Sequence, residues 1–241
     1  MAIRAVLFDL YNTLVHNEGV LWVRTFAEIC QRQGLAVDPA QMWARWKALE
    51  MEERRRRVNL HQPEASPPYK TYFQTWVECF RRVFEEMGVR GNPEEASSLC
   101  IRDMGMREPF AEGAPLLRSL RRRVRVGVVS NADVAFFYPL LGRLALPVEV
   151  AVCSEEARAY KPHPRPFQFA LAWLGLAPQE ALFVGDSLEE DVQGAVRVGL
   201  HTLWLNWTGA PVPPGLAKPH AQARSLAEVA DFCLQEALCR R

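Results

Sequence analysis

The sequence predicts an α/β protein: a doubly wound, mostly parallel sheet with an inserted α-helical domain. Three observations predict it. Residues 113–239 alternate short β-rich apolar runs with helical stretches, at the spacing of right-handed βαβ units. From Asn17 to about Arg107 the pattern is helical throughout, with no strand-like run. The composition, 49% hydrophobic and 24% charged over 241 residues, is that of a globular chain with one large domain or a core plus an accessory unit.

Residues 3–8 (IRAVLF) read as a buried strand ending at Asp9. The helical block follows as LWVRTFAEICQRQG, PAQMWARWKALEMEERRRR, YKTYFQTWVECFRRVFEEMG and NPEEASSLCIRDMGM. In its third stretch Trp76, Cys79, Phe80, Val83, Phe84 and Met87 recur at three and four residues, and Gly34, Gly88 and Pro93 punctuate the block. After Glu112, GAPLLRSLRRR reads as a helix, VRVGVVS (124–130) as a strand, 133–143 as a helix and VEVAVCS (148–154) as a strand. PRPFQFALAWLG (164–175) is a helix with Pro in its first turn. ALFVGD (181–186) is a strand, LEEDVQGAVRVG a helix stopped by Gly199, and HTLWLN (201–206) a strand. The Pro/Gly-rich WTGAPVPPGLAKP reads as a loop, and residues 225–239 as the last helix. Residues 1–15 plus 110–241 therefore form the core, and 16–109 the helical domain. In open α/β sheets ligands bind beyond the carboxyl ends of the strands. An insertion leaving the chain at that edge is expected to cover the site as a lid.

Formal net charge is +1, from 29 basic and 28 acidic residues, so nothing global points to nucleic acid or to an anionic membrane. No apolar run approaches the roughly 20 residues that span a bilayer. The six cysteines (Cys30, Cys79, Cys100, Cys153, Cys233, Cys239) follow no metal or disulfide spacing and read as reduced small hydrophobes. A cytoplasmic monomer or homodimer acting on a small anionic molecule is the expectation. No P-loop, dinucleotide or nucleophile-elbow motif occurs. Arg54 to Arg57 read as a solvated helix face paired with Glu50, Glu52 and Glu53. Arg121 to Arg123 suit a helix C-terminus, and Trp43, Trp46, Tyr72, Phe73 and Trp76 are mostly core by periodicity. His163 reads as a loop residue.

The chain has only seven Asp, and their placement is uneven. Asp9 follows the first strand in FDLYNTL; Asp186 follows another in FVGDS, with Asp191 five residues on. Ser130 and Asn131 terminate VRVGVV, and Lys161, one of four lysines, sits in YKPHP. Singly, each residue suits a turn or cap. Jointly, a parallel sheet brings them to one edge. Asp9 can attack an electrophile and form a covalent intermediate. The Leu10 and Tyr11 amides, the Ser130 hydroxyl and the Lys161 ammonium can hold an anion such as phosphate. Asp9 and Asp186 repel when both are ionised, and Mg²⁺ with oxygen ligands resolves this.

These residues resemble the haloacid dehalogenase-like (HAD) hydrolase superfamily, over nearly the whole chain. Its first motif, D-x-D-x-T-[LV], is matched by Asp9-Leu10-Tyr11-Asn12-Thr13-Leu14 except at the second Asp. The second motif is matched by Ser130, the third by Lys161, and the fourth, G-D-x-x-x-x-D, by Gly185, Asp186 and Asp191. The helical insertion resembles the family's C1 cap on its Rossmann-like core. The resemblance implies Asp9 as nucleophile, Thr13 orienting its loop, and Ser130, Asn131, Lys161 and the Leu10 backbone binding substrate. It implies Mg²⁺ held by Asp9, the Tyr11 carbonyl and Asp186, with Asp191 behind.

The departure is Tyr11, where family phosphatases carry the general acid and base. A phenol with pKa near ~10 is a poor base at neutral pH; acid–base help worth about 10²–10⁴-fold is the expected loss. Haloacid dehalogenases carry Tyr at that position, work without metal, use a cap Arg for the halide, and tend to carry Tyr where this chain has Phe167. Arg45 and Lys47 lie in a plausible cap helix for that role. The GDSLEED motif and Phe167 lean the other way, and motif four is weighted more. A Mg²⁺-dependent phosphatase weakened by Tyr11 is the reading; a metal-independent 2-haloacid dehalogenase and a non-catalytic phosphate- or partner-binding relic are the alternatives.

Overall fold

Strand β1 (Ala5–Phe8) buries all four side chains in the computed structural model of the chain, which describes residues 3–238. A strand apolar on both faces needs a central place. It pairs in parallel with β2 (Arg125–Ser130) on one side and β4 (Ala181–Gly185) on the other. With β3 (Val150–Cys153), β5 (His201–Leu205) and β6 (Ala221–Ala223) the order is β3-β2-β1-β4-β5-β6, and every neighbouring pair is parallel. Strand β6 was not predicted. Its AQA sequence is short and weakly β-forming, and its pairing with Leu203 to Leu205 makes it a strand.

Alternation along β1 sends Ala5 and Leu7 to one face, where they join Val129, Val152 and Phe183 in a single core cluster. Helix α8 (Pro164–Leu174) covers this face with Phe167, Ala170, Leu171 and Leu174. Phe167 meets Phe183 edge to face, with ring centroids 5.0 Å apart.

The chain divides into two compact units. The sheet belongs to the unit formed by Met1–His16, Glu108–Asn131 and Leu141–Arg241, with helices α5 (Gly113–Leu120), α7 (Ser154–Ala157), α8, α9 (Gln193–Val198) and α10 (Leu226–Leu238). The other unit is Asn17–Arg107 together with Ala132–Leu140. It holds α1 (Gly19–Gln33), α2 (Pro39–Arg57), α3 (Tyr72–Glu86) and α4 (Pro93–Met104), near the ends read from sequence. It also takes in the first part of α6 (Val134–Leu144), a segment that the sequence reading assigned to the core. Tertiary contact decides this: Phe136 stacks on Trp76, with centroids 6.2 Å apart and planes 13° apart.

Caps set the helix ends. Asp38 accepts from the Ala40 and Gln41 amides at the start of α2, and Asn92 from Glu95 at the start of α4. Gly34 closes α1 in the left-handed conformation with φ of 62°. Among the described residues no helix is long and apolar enough to cross a membrane. Cys30, Cys79, Cys100, Cys153 and Cys233 are buried free thiols; Cys239 lies outside the described residues.

Candidate active site

Asp9 leaves β1 at the carboxyl edge of the sheet, its amide bonded to the Val184 carbonyl of β4 at 2.9 Å. The chain then turns back. Leu10 accepts through its carbonyl from the Leu14 and Val15 amides, and Asn12 takes a positive φ of 61°. This turn buries Thr13, whose hydroxyl donates to Asp186 Oδ1 at 3.2 Å. Thr13 therefore links the loop after β1 to the loop after β4. The Tyr11 side chain is buried.

Lys161 is the hub. It is 1% exposed, and its ammonium donates to Asp9 Oδ1 at 2.7 Å, Asp191 Oδ1 at 2.6 Å and the Val129 carbonyl at 2.9 Å. The Ser130 hydroxyl donates to the same Asp9 oxygen at 3.0 Å. Asp191 takes the Ser187 amide on its second oxygen at 3.0 Å. That reach comes from a π-helical turn, Leu188–Val192, which precedes α9 where the sequence reading has one regular helix. Extra turns of this kind concentrate at functional sites. The close seat also needs Gly185, because a Cβ there would lie 2.3 Å from Asp191 Oδ2.

Carboxylate oxygens of Asp9, Asp186 and Asp191 lie within 4.8 Å of one another. Three carboxylates thus face one ammonium. Asp186 makes no ion pair among the described residues. Burial, then the charges of Asp9 and Asp191, push its carboxyl well above the usual carboxylate range, against Lys161 and the Thr13 hydrogen bond. Burial also lifts Asp191, against the pull of Lys161. Burial works against the Lys161 charge, but Asp191 and Asp9 outweigh it and hold the lysine above its ordinary pKa. A cluster with only oxygen donors and excess negative charge fits a small hard divalent cation.

The predicted residues Asp9, Thr13, Ser130, Lys161, Asp186 and Asp191 therefore converge through direct hydrogen bonds. Asn131 does so differently: its side chain is bonded to the Lys161 backbone and to Glu190. Sequence reasoning did not single out Glu190, although it sits inside GDSLEED, nor the two indoles that brace the loops. Trp204 donates to the Asp186 carbonyl at 2.9 Å and Trp207 to the Asn12 carbonyl at 2.8 Å. Nothing in their spacing marks them, since Trp204 reads as part of an apolar strand and Trp207 as part of a Pro/Gly-rich loop. Arg45 is paired with Glu86 on α3, and Lys47 lies 5.0 Å from the Trp43 ring. His163 caps α8 by accepting from the Arg165 amide.

The carboxyl edge of the parallel sheet thus gathers a carboxylate, a hydroxyl and a carboxylate pair around the ammonium of Lys161. The chain belongs to the haloacid dehalogenase-like hydrolases, whose family model matches residues 3–199. It is 31% identical to the glyceraldehyde 3-phosphate phosphatase of Pyrococcus furiosus, over 85% of this chain and 81% of that one. It is 26% identical to haloacetate dehalogenase H-2 of Moraxella sp., over 86% of this chain and 87% of that one. Among solved structures, magnesium-bound YfnB from Bacillus subtilis, described as a HAD hydrolase, superposes with a TM-score of 0.80 at 19% identity, covering 97% of this chain and 99% of that one. The relatives include both phosphatases and dehalogenases.

Proposed function

We propose that the protein is a Mg²⁺-dependent phosphatase of small phosphorylated metabolites that works through an aspartyl phosphate on Asp9. The observation that carries the reading is the third carboxylate. Asp9 and Asp191 share Lys161, while Asp186 stands beside them without a cation of its own. A site that displaced halide from carbon would have no use for this surplus charge, whereas a cation needs it. Asp9, Asp186 and the Tyr11 carbonyl would hold Mg²⁺, which when bound supplies positive charge between an anionic nucleophile and an anionic substrate.

The protein's own groups do the remaining work. Ser130 and Lys161 both engage Oδ1 of Asp9, which orients the carboxylate and leaves Oδ2 to attack phosphorus. The new Oδ2–P bond forms as the ester P–O bond breaks, and the leaving oxygen takes its proton from solvent. Water then attacks the acyl phosphate, releasing inorganic phosphate and returning Asp9. Tyr11 serves neither proton transfer well. Good leaving groups are therefore favoured, and breakdown of the intermediate is slow.

Tyr11 is also the observation that favours a 2-haloacid dehalogenase, since displacing halide needs no leaving-group acid. Against it, the Arg45 guanidinium is held by Glu86 within the helical unit. The test is hydrolysis of p-nitrophenyl phosphate. Turnover should require Mg²⁺, vanish in Asp9→Asn, and rise in Tyr11→Asp by about tenfold or more as the acid returns. Chloride release from 2-chloropropionate that is indifferent to chelator would establish the dehalogenase instead. No turnover of either compound would leave a phosphate- or partner-binding protein.

A further inference from the structure

Both Nδ2 donors of the Asn131 side chain and one lone pair of its Oδ1 are engaged. Its Oδ1 accepts from the Lys161 amide at 2.8 Å, and its Nδ2 donates to the Lys161 carbonyl at 3.3 Å and to Glu190 Oε2 at 2.9 Å. The partners leave one orientation of the amide. Reversing it would set N–H against N–H and an oxygen against the Glu190 carboxylate. The three residues come from three segments: the end of β2, the loop after α7, and the π-helical turn after β4. They meet beside the group on which the site depends. A lysine head on a flexible four-carbon stem has many positions open to it, and this one is held at a single point between two carboxylates. Holding the backbone at its root is what makes that point reproducible.

We propose that Asn131 and Glu190 form a positioning pair: Glu190 orients the Asn131 amide, and Asn131 clamps the Lys161 main chain so that its ammonium bridges Asp9 and Asp191. Asn131 thus acts through Lys161 and not through a side-chain contact with substrate. The consequence for catalysis rests on the phosphatase reading; the clamp itself does not.

The test reads the two separately. Acetic anhydride labelling followed by peptide mass spectrometry reports each of the four lysines, with Lys47, Lys70 and Lys218 as internal references. Labelling of Lys161 in metal-free Glu190→Ala and Asn131→Ala should rise about tenfold or more over wild type, as its local opening becomes easier. Glu190→Gln keeps an acceptor for Asn131 and should label like wild type. With p-nitrophenyl phosphate and Mg²⁺, Glu190→Ala should lose about 10–100-fold in kcat with little change in KM, as misplacement of a reacting group does; Glu190→Gln should restore most of it. Lys161 labelling in Glu190→Ala equal to wild type would overturn the proposal. So would equal labelling in Glu190→Ala and Glu190→Gln. If wild type hydrolyses no phosphate ester, the phosphatase reading fails while the labelling still decides the clamp.

Discussion

A methyl group on Gly185 would lie 2.3 Å from Oδ2 and 2.4 Å from Cγ of Asp191, well inside van der Waals contact. Asp191 has little room to yield, because Lys161 and the Ser187 amide hold its two oxygens. Gly185→Ala should therefore displace Asp191 and, through it, Lys161. The expected result is a folded protein destabilised by about 1–3 kcal/mol, the usual cost of overpacking. On the phosphatase reading, kcat/KM for p-nitrophenyl phosphate should fall about 10–100-fold, as when the support of a metal site is disturbed. Steady-state kinetics over a Mg²⁺ titration checks this; unaltered kinetics would mean that the seat of Asp191 is not needed. Phe167 illustrates the opposite case at the same scale. It is fully buried against Phe183, so its identity answers to the core and not to chemistry at the sheet edge.

At the scale of elements, α3 shows how the segment after β2 comes to serve the helical unit. The first amides of a helix have no partner within it. Thr71 accepts from the Gln74 amide in a reciprocal capping box, and Asp133 supplies the rest from across the unit. Its two oxygens accept from the Tyr72 and Phe73 amides at 2.9 Å each, and the Tyr69 hydroxyl donates to Oδ1 at 3.3 Å. Asp133 is 2% exposed, so its loss removes a buried acceptor that these three donors share. Asp133→Ala should cost about 2–3 kcal/mol in urea unfolding. Asp133→Asn, which keeps one acceptor oxygen, should cost less. Equal stability of wild type and Asp133→Ala would show that the cap on α3 is dispensable.

For the whole molecule, the charge balance of the site links folding to pH and, on the proposed reading, to Mg²⁺. The folded-state pKa of Asp186 lies above its unfolded value, through burial and then repulsion from Asp9 and Asp191. The contribution of such a group to stability is full below the unfolded pKa of about 4 and is lost as pH rises through the folded value. Metal-free protein should therefore lose thermal stability from this group on going from acid to alkaline pH. On the proposed reading Mg²⁺ binds the ionised form and should stabilise more at alkaline than at acid pH; saturation to 100 times Kd is worth about 2.7 kcal/mol. Thermal denaturation with Mg²⁺ or chelator at an acid and an alkaline pH measures it, and Asp186→Asn should reduce the difference. A gain that is the same at both pH values would count against Asp186 as a metal ligand. Much of this molecule was legible beforehand. The β1, β2, β4 and β5 runs are apolar enough to announce buried strands, and the order of their polar end residues carried Asp9, Ser130 and Asp186 to one edge by topology alone, with Lys161 entering from the segment between β3 and α8. That much is local: strand burial and chain order are written in composition and period. Strand β6, the π-helical turn under Asp191, the transfer of Ala132–Leu140 to the helical unit, and the Glu190–Asn131–Lys161 clamp were settled only by tertiary structure. Each depends on a partner distant in sequence, and no local pattern records which hydrogen-bond acceptor or aromatic ring the folded chain will bring alongside.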